Sequence, residues 1–170
     1  PPVGGTATTT LVDARERIVE LRQHHARSAG ASYDTTKYAY TPRGELSNVI
    51  DPAGNTWSYT YDLQGRQLTA TDPDKGTTTN TYDDRGQLVT TKDARPGTPA
   101  LWYGYDNLGR KTELREGSAT GVLRASWTYD TLNGAKGHLA ESTRYADGNA
   151  YTTKIVAYDR LYRPLRTSVT

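Results

Sequence analysis

The 170-residue chain contains no cysteine, no methionine and no phenylalanine. Without cysteine, disulfides, thiolate metal ligands and a cysteine nucleophile are excluded together, and neither zinc chemistry nor redox compartment can be read from it. Large aliphatics are also scarce: Leu, Ile and Val make 25 residues, about 15% of the chain, below the roughly 20% at which a highly charged chain is expected to be disordered. This chain is not highly charged, with 21 Lys and Arg against 19 Asp and Glu. Its 13 Tyr and 3 Trp supply large amphipathic surfaces instead. The expectation is a folded chain whose core is built from rings and aliphatic stems.

No apolar run approaches the roughly 18 to 20 residues of a membrane span, and no charged-then-apolar leader opens the chain. No membrane span is expected. The opening Pro1-Pro2 in place of methionine leads us to expect an excerpt or a processed product. Charges of both signs are interleaved and nearly balanced, so no phosphate-binding footprint is present and nucleic acid is not an expected partner.

What the chain does have is a repeat. Anchors at Tyr40, Tyr61, Tyr82, Tyr105, Tyr129 and Tyr158 are separated by 21, 21, 23, 24 and 29 residues. Aspartate follows the last five, as Asp62, Asp83, Asp106, Asp130 and Asp159. Four places past the anchor come Gly44, Gly65, Gly86 and Gly109, and eleven places past it come Asp51, Asp72, Asp93 and Glu116. An acid opening a turn and a glycine closing it, as in Asp62-Leu63-Gln64-Gly65, match a type I turn followed by a glycine at positive φ, which makes a hairpin tip. Asp51-Pro52-Ala53-Gly54 and Asp72-Pro73-Asp74-Lys75-Gly76 combine a side chain that bonds its own backbone with proline and glycine, so they read as the turns back. The stretches between are rich in Thr, Tyr, Trp, Val and Leu and have strand length.

Alternation supports strands. Tyr38, Tyr59, Asn80, Tyr103, Trp127 and Val156 stand two before the anchors, and Ala39, Thr60, Thr81, Gly104, Thr128 and Ala157 stand one before. This places a bulky aromatic face toward a core and a small or threonine face outward. Leu46 and Leu88 lie six past their anchors while Leu68 and Leu165 lie seven past. Burying all four requires a bulge in one class of repeat.

The ends are less regular. Residues 12–19 align with 61–68 through Asp13 and Arg17, with Val12 in the tyrosine place; the competing reading is a helix over residues 13–25, whose Ala, Arg, Glu and Leu are good helix formers. The Tyr129 unit carries extra tip residues, 131–137, and its long connection to Tyr158 leaves room for another strand around 145–151.

The form Tyr-Asp-x-x-Gly-Arg, in Tyr61-Asp62-Leu63-Gln64-Gly65-Arg66 and Tyr105-Asp106-Asn107-Leu108-Gly109-Arg110, with Tyr82-Asp83-Asp84-Arg85-Gly86-Gln87 close to it, resembles the YD repeats of the RHS family. The resemblance runs over residues 38–165 and, in degenerate form, over 6–37. It implies a β-strip that spirals into a hollow shell, as in bacterial polymorphic toxins, insecticidal toxin complexes and the extracellular part of teneurins. In the bacterial members the shell encloses a toxic C-terminal domain, often after self-cleavage. The fold class expected is therefore all-β: tandem antiparallel hairpin repeats in a curved, spiralling sheet, with a degenerate repeat over 1–37 and the array proper over 38–170. The expected function is a non-catalytic section of a shell wall, secreted or at the cell surface. Its expected partners are neighbouring repeats of the same larger protein and an enclosed toxin domain.

Candidate chemistry is thin. The family's self-cleavage region carries Asp-Pro-x-Gly before Trp or Leu; here Asp51-Pro52-Ala53-Gly54 is followed by Asn55, with Trp57 two places late, and the motif recurs at Asp72-Pro73, so it reads as a turn. His24, His25 and His138 lack metal-ligand spacing, and no Gly-x-Ser-x-Gly elbow is present. No catalytic residue, metal or cofactor is assigned. The alternative to a structural role is a glycan-binding or adhesive surface, in which Tyr and Trp rings stack on sugars; the same rings serve equally as the ladder holding a sheet together. Arg66 and Arg110 are expected to pair with acids of a neighbouring turn. Neither end looks capped, so edge-to-edge self-association or frayed terminal strands are expected.

Overall fold

The computed structural model describes residues 5–30 and 32–170; residues 1–4 and 31, which fall in the stretch read as a degenerate repeat, lie outside it. Fourteen strands follow one another: β1 (Thr8–Val12), β2 (Ile18–His24), β3 (Tyr33–Tyr40), β4 (Leu46–Ile50), β5 (Thr56–Tyr61), β6 (Gln67–Asp72), β7 (Gly76–Tyr82), β8 (Leu88–Lys92), β9 (Leu101–Tyr105), β10 (Lys111–Glu116), β11 (Leu123–Tyr129), β12 (Leu139–Ala146), β13 (Asn149–Tyr158) and β14 (Pro164–Val169). Pairing is antiparallel and strand order is chain order, so every connection is a hairpin. The expected all-β class is found. The helix considered over residues 13–25 is not: β2 occupies most of it, because Ile18 and Leu21 gain more from cross-strand pairing than from local helix propensity.

The described residues form two compact units, one of those up to Thr79 with Asp93–Arg95, the other of Asn80–Lys92 with Pro96–Thr170. In the first, the period-2 pattern sorts side chains by row. Tyr38, Val49 and Trp57 stand opposite one another across β3, β4 and β5. Thr60, Thr69 and Thr79 do so across β5, β6 and β7, and Ser58, Thr71 and Thr77 form the next row. The threonine rows are tied by hydroxyl pairs, Thr60 to Thr69 at 2.6 Å and Thr71 to Thr77 at 2.9 Å. Such cross-strand pairs are the sheet's unit of stabilisation.

The second unit repeats this with Thr81 and Thr90 at 2.6 Å and Thr143 and Thr152 at 2.9 Å. Its buried apolar residues are Ala135, Ala140 and Ile155. The room foreseen around 145–151 is taken by a tight turn at Asp147 (φ 52) and Gly148 (φ 77), between the longer strands β12 and β13. Two left-handed residues suit the twist of a two-residue hairpin. Among the described residues of either unit no large side chain is fully buried, so the aromatic rings are half-covered rather than enclosed.

Tips follow one plan. Asp62 N–H donates to Arg66 O at 2.9 Å and Gly65 N–H to Asp62 O at 3.1 Å, a type I turn closed by a left-handed residue. Gly65, Gly86 and Gly109 hold φ of +78°, +81° and +80°. After six of the tips the ladder slips by one residue: Tyr61 pairs with Gln67 but Thr60 with Thr69, and the same shift follows Val12, Tyr40, Tyr105, Tyr129 and Tyr158. The bulge is thus common to repeats with leucine at either place, Leu46 and Leu68 included. It is a property of the tip, where a glycine-closed turn and a bulged arm come together.

Candidate functional site

The anchors, turn acids and arginines converge on the tips, where they form a ladder from one hairpin to the next. Each turn acid first organises its own tip. Asp62 Oδ1 accepts from Gln64 N–H at 2.8 Å and Arg66 N–H at 2.9 Å, and Oδ2 accepts from Arg66 Nε at 2.5 Å. Asp106 does the same with Leu108, Arg110 N–H and Arg110 Nε at 2.9, 2.9 and 2.7 Å. Asp13 with Arg17, and Asp159 with Arg163, complete the set. An aspartate is needed because its carboxylate reaches two backbone N–H groups and still has an oxygen for the guanidinium. Arg66 pairs with Asp62 of its own tip, because four residues along a tight turn bring it back beside that acid. Arg110 pairs with Asp106 of its own tip and also reaches Asp130 of the next at 3.0 and 2.5 Å.

The anchor phenols link the hairpins. Tyr40 donates to Ile18 O at 2.8 Å, Tyr61 to Leu46 O at 2.9 Å, Tyr105 to Leu88 O at 2.9 Å, Tyr129 to Lys111 O at 3.0 Å and Tyr158 to Leu139 O at 2.8 Å. Each acceptor is the first residue of the neighbouring strand, just past the preceding tip. The bulge there turns a carbonyl out of the ladder, and the phenol satisfies it. Arginines then lie over the same rings: Arg17 at 4.5 Å from the Tyr40 centroid and Arg110 at 4.4 Å from that of Tyr129. One guanidinium thereby joins its own tip's acid to the next repeat's ring.

Electrostatics follow from this packing. The Arg17 guanidinium holds Asp13 at about 2, and Arg110 with the Gly137 N–H holds Asp130 at about 2. Arg110 is raised by Asp130 and Asp106 together. Arg17 Nη1 is buried without a hydrogen-bond partner, and Thr41 follows the Tyr40 anchor where Asp130 follows Tyr129. In that tip the chemistry is exchanged, Thr41 donating its hydroxyl to the Glu45 carboxylate in place of an Asp–Arg pair.

The return turns stand apart from the tips. Asp51 binds Asn55 N–H and Nδ2, both at 2.8 Å, and closes through Gly54 N–H to Asp51 O at 3.0 Å. The Asp51-Pro52-Ala53-Gly54 motif is thus an ordered turn whose acid is engaged with Asn55. Asp72 accepts from the Asp74 and Lys75 N–H groups and from Trp57 Nε1 at 3.1 Å, which pins that indole. Asp93 pairs with Arg95, and Glu116 with Arg124 at 2.7 Å. Adjacent His24 and His25 take opposite faces: His24 is buried, with Nε2 2.8 Å from Thr9 Oγ1 and Nδ1 accepting from Gly30 N–H at 3.1 Å, while His25 is exposed beside Asp34. His138 stacks on Tyr162 at 4.2 Å. Sequence reasoning missed the phenol-to-carbonyl bonds; phenol and acceptor lie 22, 15, 17, 18 and 19 residues apart, so no fixed spacing announces them.

Comparison with known proteins agrees with this geometry. Residues 40–77 match the RHS Repeat family. No curated protein matches in sequence. Among solved structures, TcdB2-TccC3-TEV is similar at TM-score 0.77 and 19% identity over 96% of this chain, and TcdB2-TccC3 at TM-score 0.51 and 17% identity over 90%. This chain spans 9% and 11% of those two chains. Residues 40–77 carry the repeat of the RHS family, and the chain as a whole shares its fold with a portion of TcdB2-TccC3-TEV.

Proposed function

We propose that this chain is a non-catalytic section of the wall of an RHS-type shell, one that encloses a toxin domain or builds a secreted or cell-surface assembly. The observation that carries the reading is the tip ladder. Anchor phenols are committed to the preceding hairpin and Arg110 to the next, the expected economy of a repeat that cannot bury its own face alone. The same commitment weighs against a sugar-binding surface, since Tyr40 and Tyr129 are covered by arginine, Tyr103 by Lys111 at 4.0 Å, and the Trp57 indole is bonded to Asp72. Residues 1–37 are read as a degenerate first repeat on the strength of the Asp13–Arg17 tip. The outer edges of β1 and β14 are read as surfaces for further strands. Electron microscopy of the longer protein carrying this chain tests the reading. A hollow body with these hairpins in its wall supports it. An open, extended arrangement, or a saturable response of this chain on a glycan array, overturns it.

A further inference from the structure

We propose that the tip carrying Gln87 holds a binding site for an alkylguanidinium, the arginine side chain of another polypeptide, between the Tyr105 ring and the acids of the two tips around it. Arg110 supplies the template. It bonds Asp106 of its own tip at 2.7 Å and Asp130 of the following tip at 3.0 and 2.5 Å, and lies 4.4 Å from the centroid of the following anchor, Tyr129. The place equivalent to Arg110 after the Tyr82 anchor is held by Gln87.

Gln87 is shorter and uncharged. Its Nε2 donates to the Gly109 carbonyl at 3.0 Å, which joins the two tips without placing a cation between them. Among the described residues no guanidinium or ammonium lies over the Tyr105 ring. Asp106 meets Arg110 from its own tip, and no arginine of the preceding tip pairs with it. A cavity of about 390 Å³ opens there, lined by Asp83, Arg85, Gln87, Tyr105, Asp106 and Glu113 among others. Arg85 is exposed and directs Nη1 to the Asn107 carbonyl, 3.5 Å away, rather than onto the ring. Burial first, then Tyr103 and the charge of Asp83, raise the Tyr105 phenol.

The chemistry selects the ligand. An aromatic face beside carboxylates favours a cation, and a planar guanidinium can stack on the ring while donating edge-on to an acid, which a compact ammonium does less well. No group of three or more His, Cys, Asp or Glu suited to a metal ion is found among the described residues. The neighbouring tip displays the bound form with its own Arg110.

The test is an NMR titration of the tyrosine ring resonances of the whole chain with N-ethylguanidinium and with the peptide Ac-Ala-Arg-Ala-NH2, in the wild type, Gln87→Arg and Gln87→Lys. The expected result is saturable movement of the Tyr105 resonances with both probes, weakened at least about tenfold in Gln87→Arg, whose own side chain fills the place. Gln87→Lys gives the same readout should the arginine variant fail to fold. Binding of N-ethylguanidinium without the peptide overturns the assignment to a polypeptide side chain. Absence of Tyr105 movement, or equal movement in the wild type and the filled variants, overturns the site.

Discussion

The Tyr61 hydroxyl, at the end of β5, donates across 2.9 Å to the Leu46 carbonyl at the start of β4. This bond satisfies a carbonyl that the bulge after the preceding tip takes out of the ladder. Tyr61→Phe is therefore expected to cost about 1 kcal/mol, the net value of one such bond. Tyr61→Ala should cost about 2 to 3 kcal/mol, since the half-buried ring is lost as well. Urea titration measures both. Losses near zero for both variants would show that the ring and its hydroxyl lie idle on the surface.

Two tips lack the closing glycine, and they bear the cost in the backbone. Glu16 stands at φ 62 and Tyr162 at φ 58, where other tips have Gly65 or Gly109. Left-handed backbone costs a residue with a Cβ roughly 1 to 2 kcal/mol. Glu16→Gly should therefore stabilise by about 1 kcal/mol and Gly65→Ala should destabilise by a similar amount. Tyr162→Gly should gain less, because it gives up the stack on His138. Thermal or urea denaturation of the three variants checks the order.

Acid should loosen the ladder. Asp13 and Asp130 lie at about 2 in the folded chain, below the ordinary carboxylate value of 3.8. A lowered folded value means that the contribution is complete above the unfolded value and is lost as pH falls through the folded one. Stability should thus be level from neutral pH to about pH 5 and decline between about pH 4 and pH 2. In an Arg17→Gln, Arg110→Gln double variant the decline should be shallower. Urea midpoints across that range decide it; an equally steep decline without the two arginines would remove them as its cause.

The strands were legible because the anchors, turn acids and glycines obey local rules that do not depend on distant packing. Asp62 to Gly65 closes the same turn wherever it is placed, and the alternation about Tyr59 and Tyr61 fixes the faces. The pairing of Arg66 and Arg110 within their own tips was not legible in the same way, because whether a long side chain bends to its own turn depends on the tip's three-dimensional curl. The bulge after these tips was half legible: burying Leu46 and Leu68 alike called for a slip, but the slip belongs to the turn and not to the leucines. The competing helix over residues 13–25 does not form for a related reason, since Ile18 and Leu21 answer to their cross-strand partners.

Five hairpins are held to their neighbours through an anchor phenol, that of Tyr61 among them. Native-state amide exchange on the wild type and Tyr61→Phe, read residue by residue, measures this hold. Loss of protection is expected at the amides of β4 and β5, with those of β12 and β13 unchanged. Unchanged protection throughout, or an equal loss at every strand, would contradict it.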